Sequence, residues 1–265
     1  QPVALQAVES CLRSKEAGSV RLLTSRDGQD TSYVLNCAYL ETPQLQGALV
    51  CFEDVTQQEI AGQMRRDFVA NVSHELRSPL TVLAGFIETL QGPARNDPEA
   101  QEKFLDIMDR EAQRMNRLVS DLLSLSRVES EERVRPRERV AVSDVVLTTI
   151  AALRPQIEDA GLVVEFHDLA DAPSIAGDRD QLVQVFHNLI ENAINYSPEN
   201  TKVSISVVSD IETVSVIVKD QGIGIPEGDL ERIFERFYRV DPARSRETGG
   251  TGLGLSIVKH VASIH

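Results

Sequence analysis

His74 stands in the run Phe68-Val-Ala-Asn-Val-Ser-His-Glu-Leu-Arg-Ser-Pro-Leu80. A neutral imidazole is a nucleophile near physiological pH. Glu75, the next residue, can accept the N–H of one ring nitrogen and so leave the other free to attack. Pro79 follows within the same predicted helix, where a proline removes a backbone bond and tends to kink the chain at a cost of about 3 kcal/mol. A solvated helix position and a tolerated kink account for His74 and Pro79 equally well on these residues alone.

Three later segments carry chemistry of another kind. Phe186-His-Asn188-Leu-Ile-Glu-Asn192-Ala-Ile-Asn195-Tyr196 places three asparagines at i, i+4 and i+7, on one side of a predicted helix. The opposite face, Leu182, Val185, Phe186, Leu189 and Ala193, is expected to be buried. Side-chain amide oxygens suit a hard cation such as Mg²⁺, which keeps water and substrate phosphates as its other ligands. By themselves the asparagines also fit a plain solvated face. Asp220-Gln-Gly222-Ile-Gly224-Ile225-Pro226 follows a β-rich run. Its carboxylate can accept a hydrogen bond from an exocyclic amine, and its glycines let backbone approach a flat ring. A simple turn would use the same residues. Gly249-Gly250-Thr251-Gly252-Leu253-Gly254 precedes a helix start at Ile257-Val-Lys, an order that can form a cradle of N–H groups for phosphates. The P-loop pattern is absent, because no Lys-Ser/Thr follows the glycines, and the GxGxxG dinucleotide pattern fails as well. Between these segments lies Phe234-Glu-Arg-Phe-Tyr-Arg239. The polar stretch 240–248 that follows is expected to be a mobile lid, with Arg239 or Arg236 able to reach a phosphate.

The elements that must position these residues read as follows. Residues 1–53 begin with a helix-like stretch from Val3 to Leu12. Strand-like runs follow at Val20–Thr24, Ser32–Leu40 and Leu45–Glu53, with turn chemistry at Asp27-Gly28 and Thr42-Pro43. Residues 54–90 read as one long helix with inward apolar positions at Ile60, Met64, Phe68, Val72, Leu76, Leu83, Phe86 and Leu90. Gly92-Pro93 ends it, and Asp97 caps a second helix that starts at Pro98 and runs to about Glu129. Phe104, Met108, Glu111, Met115, Leu118, Leu122 and Leu125 give that helix a heptad seam broken only by Glu111. A lone helical hairpin leaves its seam wet, so two hairpins are expected to pair into the four-helix bundle of a homodimer. Residues 131–142 read as a linker. Beyond it, helices are expected at 143–160, 179–196 and 227–238, and strands at 162–168, 202–209 and 213–219. That pattern predicts an α+β or α/β sandwich, one mixed sheet covered by helices.

The 265 residues suggest two domains and a smaller piece. The net charge of −14 argues against direct nucleic-acid binding, since such a surface repels phosphate backbones. Cys11, Cys37 and Cys51, an odd number without Cys-x-x-Cys spacing, fit free thiols in a reducing compartment. No apolar run in these residues is long enough for a membrane helix, and none is expected to be a signal peptide. Gln1 opens the chain without a methionine, as in a piece cut from a longer protein.

Taken together and in this order, the segments resemble the two-component sensor histidine kinase family. Ser73 to Pro79 is similar to its phosphoacceptor box and Asn188 to Tyr196 to its N box. Asp220 to Pro226 is similar to its first Gly box, Phe234 to Tyr238 to its F box, and Gly250 to Leu255 to its second Gly box. The stretch Arg65-Arg-Asp-Phe-Val-Ala-Asn-Val-Ser73 looks most like phosphate-regulon-type sensor kinases. Residues 1–59, with Phe52-Glu-Asp-Val-Thr56 near their end, resemble the last strands of a PAS sensor domain.

The resemblance implies a multidomain α+β chain. Residues 1–53 would be the C-terminal part of a PAS-like sheet. Residues 54–130 would be the dimerisation and phosphotransfer hairpin, 131–142 a linker, and 143–265 an ATP-binding α/β sandwich. It further implies autophosphorylation of His74 by ATP, with Glu75 orienting the imidazole and accepting its proton, then transfer to an aspartate of a response regulator receiver domain. Mg²⁺ would be held by Asn192 with help from Asn188. Asn195 would contribute to the nucleotide site, Tyr196 would pack on the nucleotide, and Asp220 would read the adenine amine beside Gly222, Gly224 and Ile225. Gly250, Thr251, Gly252, Leu253 and Gly254 would hold phosphates, with Arg239 at the terminal one. Fold-related hydrolases carry a water-activating Glu where this chain has Asn188, so transfer to a protein nucleophile is favoured over hydrolysis; a catalytically silent scaffold would lack a ligand, and none is missing among His74, Asn192, Asp220 and the glycines. The position four after the histidine is often Thr or Asn in the family. Here it is Ser78, whose hydroxyl can still orient a water, which leaves dephosphorylation of the regulator open. The chain is expected to be the cytoplasmic portion of a membrane-anchored bacterial sensor. Family members continue through closing strands past the point matching His265, so an edge of the ATP domain, like the front of the PAS-like domain, is expected to be missing.

Overall fold

The computed structural model describes residues 2–26, 29–131, 136–168, 174–210, 213–241 and 250–265. The chain divides into two compact units, Gln1–Glu75 and Leu76–His265.

In the first unit, helix α1 (Pro2–Ser14) packs on an antiparallel sheet of β1 (Gly18–Arg26), β2 (Gln29–Thr42) and β3 (Leu45–Asp54), in the order β1-β2-β3. Cys11 of α1 meets Leu35 and Cys37 of β2 in a small core, with Ala7, Val8, Val20 and Val50 around it. The alternation of a strand explains the choice: Leu35 and Cys37 point to the same side and Asn36 to the other. The Asp27-Gly28 turn lies outside the described residues. Strand β3 runs into α2 (Thr56–Gln91) through a local lock. The Asp54 carboxylate accepts from the Thr56 hydroxyl (2.6 Å) and N–H (2.9 Å), which holds its pKa below the usual carboxylate range. The Ser32 N–H donates to the Thr56 hydroxyl oxygen (3.0 Å), tying the joint back to β2. Ile60 and Met64, expected to face inward, are 43% and 59% exposed, because no described element of this unit covers that part of the helix.

The second unit begins with the rest of α2, which continues as helix through a buried Pro79. Gly92 ends α2, and Asp97 starts α3 (Pro98–Glu131) as expected, its carboxylate accepting the Ala100 N–H at 3.0 Å. Phe86 and Phe104 stack across the hairpin with centroids 4.8 Å apart. Every position of the heptad seam is half-buried or buried, Leu118 and Leu125 most deeply, and Val128 beyond it is buried as well. Leu105, Val119 and Leu123 of α3 remain exposed, as do Leu80 and Ile87 of α2. Among the described residues no helix is long and apolar enough to cross a membrane.

The expected linker over 131–142 is shorter than predicted. Arg139–Ala141 forms β4, paired antiparallel with β6 (Ser174–Ala176), and α4 (Val142–Ala152) starts directly after it; residues 132–135 lie outside the described set. The single helix expected over 143–160 is two, α4 and α5 (Arg154–Asp159), because Pro155 interrupts the backbone bonding beside Leu153. The main sheet holds β5 (Val163–Asp168), β7 (Lys202–Ser209) and β8 (Val214–Lys219). Strands β5 and β7 run parallel, β7 and β8 antiparallel. Val203, Ile205 and Val207 of the central strand are fully buried beneath the helices, which include α6 (Arg179–Tyr196) and α7 (Gly254–Ile264). The helix expected over 227–238 is instead two short 3₁₀ turns, Glu227–Asp229 and Arg232–Phe234. The chain then turns extended at Glu235 and left-handed at Phe237, where it is held by another strand of backbone rather than by its own helix.

Replacing the α3 cap, Asp97→Ala, is expected to lower unfolding free energy by about 1 kcal/mol in urea denaturation, with Asp97→Ser costing much less.

Candidate functional site

Helix α6 is fixed from its first turn. Asp178 accepts the N–H groups of Asp180 (2.9 Å) and Gln181 (3.0 Å), satisfying donors that a helix start leaves open. Leu182, Val185, Phe186, Ile190, Ala193 and Ile194 are buried against the core. That leaves Asn188, Asn192 and Asn195 on the far side, half-buried, along the wall of a cavity of about 1170 Å³. Leu189, expected in the buried face, is half-buried and lines the same wall.

At the end of β8, Asp220 is exposed and accepts the Gly222 N–H at 2.8 Å, a local turn that aims the following loop. Gly222 itself does not line the cavity. A Cβ there would lie 2.7 Å from the Tyr196 carbonyl oxygen, so this glycine lets the loop rest against the end of α6. Asp220, Gly224, Ile225 and Tyr196 do line the cavity, and Gly224 is left-handed with φ +71°.

The glycine-rich segment closes the other side. Gly250, Thr251, Gly252 and Gly254 line the cavity; Leu253 does not, its side chain being fully buried in the core at the head of α7. Gly252 sits at φ +74°, where an added Cβ would lie 2.9 Å from the Phe237 backbone. The Phe237 N–H donates to the Gly252 carbonyl at 2.8 Å, and Phe237 is itself left-handed at φ +64°. Arg239 lines the cavity and donates to the Thr251 carbonyl at 2.9 Å; Arg236 is not part of the lining. Tyr238 donates to Asp229, a bond that raises the phenol's pKa, and lies under the Arg232 guanidinium, 4.3 Å from the ring centre, which together steady this turn. Asn188 donates to the Gly254 carbonyl at 3.3 Å, joining α6 to the cradle. Of the expected lid, residues 242–248 lie outside the described set, as does Gly249 of the glycine-rich segment.

His74 is exposed on α2, Glu75 is half-buried and Ser78 is exposed. The sequence did not announce the contribution of α3. Arg117, Ser120, Asp121, Ser124 and Arg127 line the cavity from the polar flank of its seam. Their spacing carries no signal beyond that of an ordinary solvated face.

Among the described residues no group of three or more His, Cys, Asp or Glu could hold a metal. A cation here would rest on the amide oxygens of Asn192 and Asn188 and on a ligand's own oxygens, a donor set that fits Mg²⁺.

Residues 64–131 match the His Kinase A (phospho-acceptor) domain family, and residues 177–265 match the histidine kinase-, DNA gyrase B- and HSP90-like ATPase family. The chain is 40% identical over 257 residues to the sensor histidine kinase WalK of Bacillus subtilis, covering 95% of this chain and 42% of that protein. It is 40% identical over 221 residues to the sensor-like histidine kinase SenX3 of Mycolicibacterium smegmatis, covering 82% and 56%. The chain thus spans about half the length of these relatives. The Acinetobacter baumannii histidine kinase AdeS aligns with TM-score 0.54 at 28% identity, over 72% of this chain and 86% of that one. The histidine kinase ThkA, solved in complex with the response regulator protein TrrA, shares the fold with TM-score 0.57 at 24% identity, over 88% of this chain and 71% of that one.

Both Gly224 and Gly252 are left-handed, but a Cβ meets nothing within 4 Å at the first and backbone at 2.9 Å at the second. Gly224→Ala should therefore cost roughly 1–2 kcal/mol in urea denaturation, the strain of an ordinary residue in that region, and Gly252→Ala clearly more. Equal costs would show that the close approach at Gly252 is not a constraint.

Proposed function

This chain belongs to the two-component sensor histidine kinase family, and on that premise we propose that it autophosphorylates His74 from ATP and passes the phosphoryl group to an aspartate of a response regulator. The observation that carries the proposal is convergence. The asparagine helix, the Asp220 loop, Arg239 and the glycine cradle, spread over more than sixty residues, line one cavity. Its apolar wall, with amide, carboxylate and guanidinium groups along it, suits a nucleotide.

In this reading Asp220 accepts a hydrogen bond from the adenine amine, with Ile225 and Tyr196 against the ring. The N–H groups of Gly250, Thr251, Gly252 and Gly254, at the head of α7, face the phosphates, and Leu253 serves by anchoring that turn in the core. Arg239 neutralises charge at the terminal phosphate. Asn192 and Asn188 would hold Mg²⁺, which would supply charge neutralisation at the phosphates. Asn195 contributes a further amide to the same wall. One ring nitrogen of His74 attacks the γ-phosphorus. The N–P bond forms as the bond to the β-phosphate oxygen breaks, ADP leaves, and the imidazole proton passes to Glu75. Catalysis is then positioning and charge stabilisation rather than covalent chemistry by the cavity residues.

Asn188 separates this from hydrolysis. An amide cannot take a proton from water, and here it is spent on the Gly254 carbonyl. The exposed Leu105, Val119 and Leu123 of α3, with Leu80 and Ile87 of α2, support pairing of two hairpins in a homodimer. Ser78, one turn from His74, can orient a water for the reverse reaction on the regulator. The protein acts in the cytoplasm, where ATP is found, as part of a sensor anchored at the membrane.

The test is incubation of the chain with γ-labelled ATP and Mg²⁺. Protein-bound label that survives alkali, is lost in acid and is absent from His74→Gln is the expected result. Steady phosphate release without labelled protein would replace the kinase by a hydrolase.

A further inference from the structure

One bond at the cavity has no part in this chemistry. The Thr251 hydroxyl donates to the Asp121 carboxylate of α3 at 2.6 Å, across 130 residues of sequence. Thr251 is only 8% exposed, and its other contacts complete a closed set. The Leu253 N–H reaches its hydroxyl oxygen at 3.3 Å, and Arg239 holds its carbonyl. The hydroxyl proton of the cradle is thus already committed to a carboxylate.

The surroundings of Asp121 make that carboxylate a poor neighbour for phosphate. Glu191 of α6 adds a second negative group, while His187 of α6 and Arg117 of α3 offset it in part. Asp121, Arg117, His187, Glu191 and Thr251 all line the cavity. Burial pushes the Asp121 carboxyl above its ordinary range, and the Thr251 hydroxyl pulls it part of the way back.

We propose that Asp121 is an autoinhibitory latch: its bond to Thr251 fastens α3 onto the phosphate cradle and competes with the phosphates of an incoming nucleoside triphosphate for the same hydroxyl. Nucleotide loading and the latched arrangement of α3 then exclude one another. A triphosphate must displace Asp121, and it meets like charge until α3 withdraws. The energy of binding is spent partly on undoing the latch, which lowers apparent affinity in proportion to the latched fraction. The proposal rests on the ATP reading of the cavity.

The test compares ATP with adenosine, which fills the ring end of the cavity but carries no phosphate. Both are titrated with Mg²⁺ against the whole chain, Asp121→Ala and Asp121→Asn, by calorimetry, after circular dichroism has verified each fold. The latch predicts that Asp121→Ala binds ATP about tenfold more tightly while adenosine affinity is unchanged. Asp121→Asn, which removes the charge but keeps an acceptor, should gain less. ATP affinity that is equal or weaker in Asp121→Ala overturns the latch, and a parallel loss for both ligands assigns Asp121 a structural role instead. Absence of ATP and adenosine binding in all three proteins overturns the ATP reading itself, and the latch with it.

Discussion

The site hangs on a close approach of two backbones. Phe237 lies so tightly against Gly252 that no side chain fits between them, and both residues take the left-handed conformation to make the contact. That clasp fixes where the chain after the 3₁₀ turns must go, and so where Arg239 stands. It also fixes the cradle at the head of α7. The buried face of β7 holds up the helical layer that includes α6, and α6 in turn sets its three asparagines against the cradle through Asn188 and Gly254. A phosphate cradle made of backbone needs such external fixing, since glycine-rich chain has no preference of its own. The core at Leu253 and Ile257 and the bonds around Thr251 supply it.

Function follows from what the wall of α6 offers. An amide at Asn188 can bind a cation or hold a carbonyl, but it cannot generate a nucleophile. In the proposed reaction the nucleophile comes from another element, His74 on α2 with Glu75 beside it. On the proposed reading, a nucleophile carried by a different element from the nucleotide site makes the reaction one that can be regulated. The bond between Asp121 and Thr251 lies where such control would act.

Much of this was legible in the sequence because it rests on local rules. The 3.6-residue period gave α6 to its ends, the alternation of β-branched residues gave β7, and Asp97-Pro98 marked the start of α3. What stayed hidden depends on contacts distant in sequence. Phe234 to Arg239 has the apolar spacing of a helix, yet its backbone bonds to Gly252 and takes 3₁₀ and left-handed forms instead. Gly222 reads as room for a ligand, but its space is filled by the Tyr196 carbonyl; Leu253, in the middle of the cradle, points into the core. Asp121 looks like any polar residue on the flank of a seam, because nothing local shows that Thr251 will meet it. Strands β4 and β6 are three residues each, too short for a period to show.

The central claim is that phosphate from ATP ends on one imidazole. Tandem mass spectrometry of the chain after brief reaction with ATP and Mg²⁺, digested and analysed without acid, locates the modification directly. A phosphoramidate on the fragment containing His74 is expected. Phosphate on any other residue, or ADP accumulating with His74 unmodified throughout the reaction, would contradict it.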